Sequence, residues 1–299
     1  MFPASAGHLN TLCIAVLAGG GSPISDRNLA VLRHALTCFH SLYTVSSMPS
    51  KKSSTSSKPA SPVGVAIERT NDVLTFTLNN AGSGNEVTGK MFDAMLAELR
   101  AEAAKPTARV LRLRARGNVF CTGRERAGRD VGAIRHKSAR LIEFKRALRT
   151  STLISVAEVH GNAFGFGFGL AILSDFVLVA QSATLAFPEM RSGLPPSAIM
   201  AYLGEYTLPR WAFPLVLFGE AINPRRALEI GLISQICPPE HLADEADALV
   251  ERILRLDSAA ARRCKEFFLT AQQNSFDQNC RLAIDALTVG SLVILARKT

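Results

Sequence analysis

Val159-His160-Gly161-Asn162-Ala163-Phe164-Gly165-Phe166-Gly167-Phe168-Gly169 is the stretch that decides the fold of this chain. It follows the β-forming segment 156–159, and 176–180 downstream is again β-forming, so the glycines fall between two strands. A dinucleotide fingerprint G-x-G-x-x-G is not met, because Leu170 and Ile172 stand where its last glycine would fall. What the alternation does provide is backbone that a ligand can approach closely.

Outward from this stretch the pattern is that of an α/β protein. Residues 63–68 and 73–78 cluster β-formers around the polar turn Arg69-Thr70-Asn71-Asp72 and predict a hairpin. Met91, Met95, Leu96 and Leu99 form the apolar stripe of a helix predicted over 87–104. Residues 110–113 read as a buried strand and 141–148 as part of another helix. Beyond Arg210 the chain reads as mostly helical, over 224–231, 241–256 and 259–272. The expected organisation is an N-terminal extension over 1–60, a core domain over 61–256 and a helical oligomerisation region over 257–299.

The chain has 299 residues, 47% of them hydrophobic, enough to fill a sizeable core. Its cysteines, Cys13, Cys38, Cys121, Cys237, Cys264 and Cys280, are scattered, with no C-x-x-C pair, which predicts a reduced protein without structural zinc. A net charge of +9 favours an anionic partner, whether nucleic acid, a membrane surface or a phosphorylated cofactor. No apolar run reads as approaching the ~20 residues that span a bilayer, so a soluble protein without a membrane partner is expected. Residues 1–60 hold one acidic residue, Asp26, and end in the Ser/Lys-rich tract 50–61, a linker composition. The apolar stretch 12–18 lacks a basic residue ahead of it, which argues against a secretory signal. Two readings of the extension stay open, a transit peptide or a translation start at Met48, and the second is preferred because Met48 just precedes the linker. The matching locations are mitochondrial for the first and cytoplasmic for the second.

Three segments, in this order, resemble the crotonase (enoyl-CoA hydratase/isomerase) superfamily. Leu78-Asn79 with Asn85 is similar to the family's turn after its opening hairpin, although Asn80-Ala81 replaces the usual Arg-Pro. Val119-Phe120-Cys121-Thr122-Gly123-Arg124-Glu125 resembles its Phe-x-x-Gly-x-Asp/Glu loop. The opening stretch, then Ser174-Asp175, then Ala183-Thr184-Leu185-Ala186-Phe187-Pro188-Glu189 with Gly193, resembles its glycine-rich helix entrance, Asp-containing strand start and Pro-Glu loop. Phe218-Gly219-Glu220-Ala221-Ile222, Ala227-Leu228 and Gly231-Leu232-Ile233 carry the likeness on, so that it covers residues 63–260.

The resemblance implies an α/β fold, a spiral of ββα units with a helical C-terminal region, assembled as a trimer or a dimer of trimers. It implies an acyl-CoA substrate, with coenzyme A present only as part of the thioester, and no metal or permanently bound cofactor. Two backbone N–H groups, of Arg124 and Phe166, are the implied oxyanion donors, and Glu189 is the implied acid/base. Cys121, Gly123, Gly165 and Gly167 are expected to line the thioester. This chemistry suits an enolate: preorganised N–H donors stabilise its oxygen, at ~3–4 kcal/mol for one donor, and a carboxylate in reach of carbon moves the proton. A helix beginning at the glycines would add a positive dipole end.

Gly169 stands where two-carboxylate hydratases carry their second glutamate. Glu189 is therefore expected to work alone, in an enoyl-CoA isomerase or hydratase. A hydratase-lyase or decarboxylase on another acyl-CoA, or a non-catalytic acyl-CoA- or RNA-binding homologue, stays open. Against RNA, the chain has only three Tyr and one Trp for stacking. Arg124, Arg126, Arg129, Arg135, His136, Lys137 and Arg140 form a basic segment that could meet a CoA phosphate. Ile199 and Met200 are expected to fill the core, or to reshape the acyl pocket. Glu158 and His160 read as structural, and Cys121 as packing, not a nucleophile.

Overall fold

The computed structural model describes residues 64–126 and 128–296, so the expected N-terminal extension lies outside the described residues. Strands β1 (Gly64–Thr70) and β2 (Val73–Asn79) pair antiparallel around a turn in which Asn71 takes φ 52°, a conformation its short polar side chain tolerates. From β2 the sheet continues in parallel through β3 (Val110–Ala115), β5 (Ile154–Val159), β7 (Phe176–Ala180) and β9 (Gln235–Cys237), in the order β1-β2-β3-β5-β7-β9. The intervening strands β4 (Val119–Cys121), β6 (Asn162–Phe164) and β8 (Leu185–Ala186) form a second parallel sheet, β4-β6-β8. Each of β3, β5 and β7 thus gives way within a few residues to a strand of the smaller sheet. Helices α1 (Gly89–Ala104), α2 (Val131–Arg149) and α3 (Phe166–Ile172) follow the first three strand pairs, which is the expected spiral of ββα units.

Parallel strands covered on both faces must be largely apolar, and β5 and β7 are, with two exceptions, Ser155, whose hydroxyl donates to the Asp175 carboxylate, and Glu158. Glu158 in β5 is 5% exposed and is ion-paired with Arg112, which also holds Asp247. A buried carboxylate is tolerated only with such a partner, so its role is structural, as expected. The Nε2 of His160 lies 2.9 Å from the Gly117 carbonyl oxygen.

The chain continues through α4 (Ser197–Leu203), α5 (Pro209–Phe218), α6 (Pro224–Glu229) and α7 (Leu242–Leu254). In α7, Leu242, Ala246, Val250 and Ile253 recur at helical spacing and pack with Val110, Val156, Leu178 and Ala180 of the large sheet. Helices α8 (Ser258–Ala271) and α9 (Phe276–Ala296) close the described chain. Lys265 of α8 is buried and donates to the Asp175 carboxylate at 2.6 Å and to the Leu153 carbonyl, which ties α8 to the core.

Three expectations need correction. The helix predicted from residue 87 begins two residues later, because Thr88 caps it, its hydroxyl accepting from the Met91 N–H, and Val87 instead pairs with Arg124. Met200, expected in the core, is 50% exposed, while Ile199 is buried. Finally, α9 is by length and composition a helix able to cross a membrane, contrary to the reading that no apolar stretch is long enough. None of its residues is buried.

Candidate active site

The C-terminal ends of β4, β6 and β8 lie side by side: Cys121 pairs with Ala163, Phe164 pairs with Ala186, and the Gly165 N–H donates to the Ala186 oxygen at 2.8 Å. From these ends the chain runs into Thr122-Gly123-Arg124, into Gly165-Phe166 and into Phe187-Pro188-Glu189. Segments far apart in sequence are thereby gathered at the carboxyl edge of one parallel sheet, where α/β proteins place their ligands.

In the first segment, Val87 donates its N–H to the Gly123 oxygen at 3.1 Å and accepts from the Glu125 N–H at 2.9 Å. Because Val87 uses the residues on either side of Arg124, the N–H of Arg124 itself points the other way. The Glu125 carboxylate accepts from the Gly89 N–H at 2.9 Å, which fixes the loop against the start of α1. Cys121 is buried, its Sγ donating to the Gly123 oxygen at 3.2 Å, and burial pushes its thiol up to about 12. That agrees with packing and not with a nucleophile.

The second segment depends on Gly165, whose φ of 52° and ψ of −116° a residue with a Cβ would adopt only with strain. It turns the chain directly into α3, so the Phe166 N–H is left without an intrahelical acceptor. Among the described residues, neither the Arg124 nor the Phe166 N–H has an acceptor. A Cβ on Gly167 would lie 2.1 Å from the Cys121 carbonyl oxygen, so α3 rests directly on β4 and keeps the two N–H groups neighbours. At 7 residues α3 has little macrodipole, and the individual N–H group is what it offers.

The third segment, the 3-10 turn Pro188–Ser192, follows the buried Phe187, which stacks on Phe168 at 4.9 Å between ring centroids. Glu189 projects onto Gly165, where a Cβ would lie 2.8 Å from its Oε1. Its Oε2 is buried without a hydrogen-bond partner. Burial raises this carboxyl above the usual carboxylate range, and the Glu189 N–H and the charges of Lys145 and Arg124 offset that only in part. Thus all seven residues singled out from the sequence, Cys121, Gly123, Arg124, Gly165, Phe166, Gly167 and Glu189, meet in one place.

The structure adds to that set in three ways. The Arg124 side chain, read from the sequence as part of a basic segment that could meet a CoA phosphate, is half-buried within electrostatic reach of Glu189. Gly169 opens no void, since a Cβ there would lie 2.3 Å from Ile199 Cδ1 and 2.5 Å from the Tyr202 hydroxyl. Lys145, which sequence reasoning missed, is buried beside Phe166 and Tyr202. Its signal was a lysine within the apolar face Leu141, Phe144 and Leu148 of α2. In the basic segment Lys137 is tied to Glu125 and Arg140 to Asp93, whereas Arg126, Arg129, Arg135 and His136 are exposed. Among the described residues no group of His, Cys, Asp and Glu is gathered to hold a metal.

Known proteins resemble this chain along most of its length. A Thermus thermophilus relative named as an enoyl-CoA hydratase is 28% identical over 226 residues, 73% of this chain and 88% of that protein. The 2,3-dehydroadipyl-CoA hydratase of Escherichia coli is 26% identical over 220 residues, 69% of this chain and 82% of that protein. The crystal structure of an enoyl-CoA hydratase from Mycobacterium smegmatis shares the fold at a TM-score of 0.73, with 24% identity, over 77% of this chain and 91% of that one. With the family model matching residues 68–288, this acyl-CoA enzyme belongs to the enoyl-CoA hydratase/isomerase family, within the crotonase superfamily.

Proposed function

We propose that the protein moves a proton on an enoyl-CoA thioester through an enolate, with Glu189 as the shuttle between C2 and C4, a shift of the double bond from position 3 to position 2. The observation that carries this is the Glu189 carboxylate: half-buried, with its Oε2 buried and partnerless, and packed on the glycine that precedes the Phe166 N–H. The N–H groups of Arg124 and Phe166 would hold the thioester oxygen as it gains charge, each at a cost of ~10²–10³ in rate if lost. Removal of the C2 proton leaves Glu189 protonated beside the dienolate, and the same proton returns at C4. Filling of the Gly169 position by Ile199 and Tyr202 favours this one-carboxylate chemistry. A carboxylate in a loop near α5 is otherwise just a solvated group, and burial is what distinguishes this one.

The test is isomerisation of 3-hexenoyl-CoA by wild type and by Glu189→Gln, with binding of a saturated acyl-CoA measured in parallel. Loss of turnover of ~10²-fold or more with binding retained is the expected result. Unaltered turnover would end the proposal. The same reading takes Phe276, Ile284, Leu287, Leu292 and Leu295, exposed on α9, as an interface between copies in a trimer or hexamer. Light scattering of the purified protein checks it, a monodisperse monomer being the contrary outcome.

A further inference from the structure

Tyr202, which with Ile199 fills the space at Gly169, holds Lys145 behind it, and the proton shuttle uses neither Tyr202 nor Lys145. Lys145 is 5% exposed; its Nζ donates to the Ala198 carbonyl oxygen at 3.0 Å and to the Tyr202 hydroxyl at 3.1 Å. That hydroxyl in turn donates to the Gly169 carbonyl oxygen at 2.8 Å. Two positions of Nζ are thus engaged, and the third is a hydrogen in the ammonium form or a lone pair in the amine. Nζ lies 5.7 Å from the centroid of the Phe166 ring, so it stands beside the residue whose N–H faces the site. The Tyr202 hydroxyl holding it is 2.5 Å from where a Cβ at position 169 would be. A basic nitrogen from α2 is therefore linked through one hydroxyl to the position where α3 supplies no side chain.

The charged and titratable groups facing Lys145 are Glu189 from the 3-10 turn, Arg124 from the loop after β4, and Tyr202 from α4. Burial brings Lys145 down to about 7, with the charge of Glu189 opposing and that of Arg124 assisting. Burial raises Glu189 at the same time. Burial thus favours the uncharged form of each group, an amine for Lys145 and a carboxylic acid for Glu189.

We propose that Lys145 is the base that activates water for addition to C3 of a 2-enoyl-CoA, while Glu189 serves C2. This rests on the reading of Glu189 and the two N–H groups given above and extends it from isomerisation to hydration. In the step, the Lys145 amine takes a proton from water as the water oxygen bonds to C3. The C2–C3 π pair moves to form the thioester enolate, and the Glu189 carboxylic acid gives its proton to C2. The result is the 3-hydroxyacyl thioester, a lysine ammonium and a carboxylate. Return of one proton from Lys145 to Glu189 through solvent restores the starting forms, with one water consumed and no oxidant or reductant needed.

The experiment compares hydration of crotonyl-CoA with isomerisation of 3-hexenoyl-CoA in wild type, Lys145→Met, Lys145→Arg and Glu189→Gln, across pH 5.5 to 9. Both lysine variants are expected to lower the ratio of hydration to isomerisation ~100-fold, the size of a general-base contribution, since an arginine cannot give up its proton. Wild-type hydration should fall off on the acid side of neutrality, and Lys145→Met should lack that limb. Retained hydration in Lys145→Arg, or equal losses of both reactions in Lys145→Met, would overturn the proposal in favour of a purely electrostatic or structural lysine. Isomerisation that depends on Glu189 without any hydration overturns it while leaving the function reading intact. Silence of wild type toward both substrates overturns both. A readout independent of activity and of variant folding is the NMR titration of wild type labelled with [ε-13C]lysine. One lysine should lose its proton near neutral pH, and a full set of ordinary lysine titrations would refute the assignment.

Discussion

Gly169→Ala probes the space on which the proposed chemistry of this site depends. The added Cβ would lie 2.3 Å from Ile199 Cδ1 and 2.5 Å from the Tyr202 hydroxyl, far inside the ~3.5–4.0 Å of a favourable carbon contact. Both neighbours are the ends of side chains, but neither is free. Ile199 is 2% exposed, and the Tyr202 hydroxyl is held between the Gly169 oxygen and Lys145. Relief by rotation of Ile199 and displacement of the hydroxyl costs ~1–3 kcal/mol for overpacking, with ~1 kcal/mol more for a strained hydrogen bond. Helix propensity returns ~1 kcal/mol when alanine replaces a helical glycine. The variant should therefore be less stable by ~1–3 kcal/mol, read from denaturant unfolding at unchanged m-value. Ile199→Val removes Cδ1, and in combination it should recover ~1 kcal/mol, a coupling visible in a double-mutant cycle. Gly169→Ala as stable as wild type, or simple additivity with Ile199→Val, would refute the reasoning that this space is filled. The same geometry means that Gly169→Glu alone does not restore a second carboxylate.

Three further outcomes can be checked. Arg124→Ala keeps the backbone donor but removes a charge that holds the Glu189 carboxyl down, so the acid limb of isomerisation should move to higher pH; an unmoved limb would show that the guanidinium does not reach Glu189. Desolvation would raise Glu102, yet the N–H groups of Ala108 and Thr107, the Thr107 hydroxyl and Arg69 overcome it and hold this carboxyl at about 2. Its stabilising share is complete above the unfolded value of 4.5 and is lost as pH falls toward about 2, roughly 3 kcal/mol that Glu102→Gln should remove from the acid unfolding curve. Lys145 is lowered from 10.5 to about 7, so the unfolded chain binds the extra proton between those values and wild-type stability should rise across that window. Lys145→Met should flatten the rise, with ~2–3 kcal/mol of difference between pH 7 and pH 9, and an unchanged slope would place the ordinary lysine value in the folded protein.

Helices and strands were legible to within a few residues wherever the apolar period was sustained, as in 176–180, which β7 matches, and in Met91, Met95, Leu96 and Leu99 on α1. Boundaries that depend on capping were less legible. Thr88 had to be seen accepting from Met91 before Val87 could be removed from the helix. Met200 shows the same limit, for it directly follows the buried Ile199 and only the packing of α4 decides which faces inward. Helix α9 was missed as a long apolar element because Asp277, Arg281 and Asp285 interrupt its composition without interrupting the helix.

By itself the sequence determined the order of the ββα units, the three site-bearing loops and the one carboxylate, Glu189. These are carried by short contiguous patterns: glycines where backbone must pass closely, alternating apolar residues, and a Pro-Glu pair at a strand end. The tertiary structure alone decided what surrounds that carboxylate. Lys145, Tyr202 and Ile199 come from helices distant in sequence, and they meet at Gly169 because of how α2 and α4 pack against α3. Proton affinity follows the same division. The residue type sets the ordinary value, while burial and neighbouring charge, which exist only once the chain is folded, draw Glu189 up and Lys145 down.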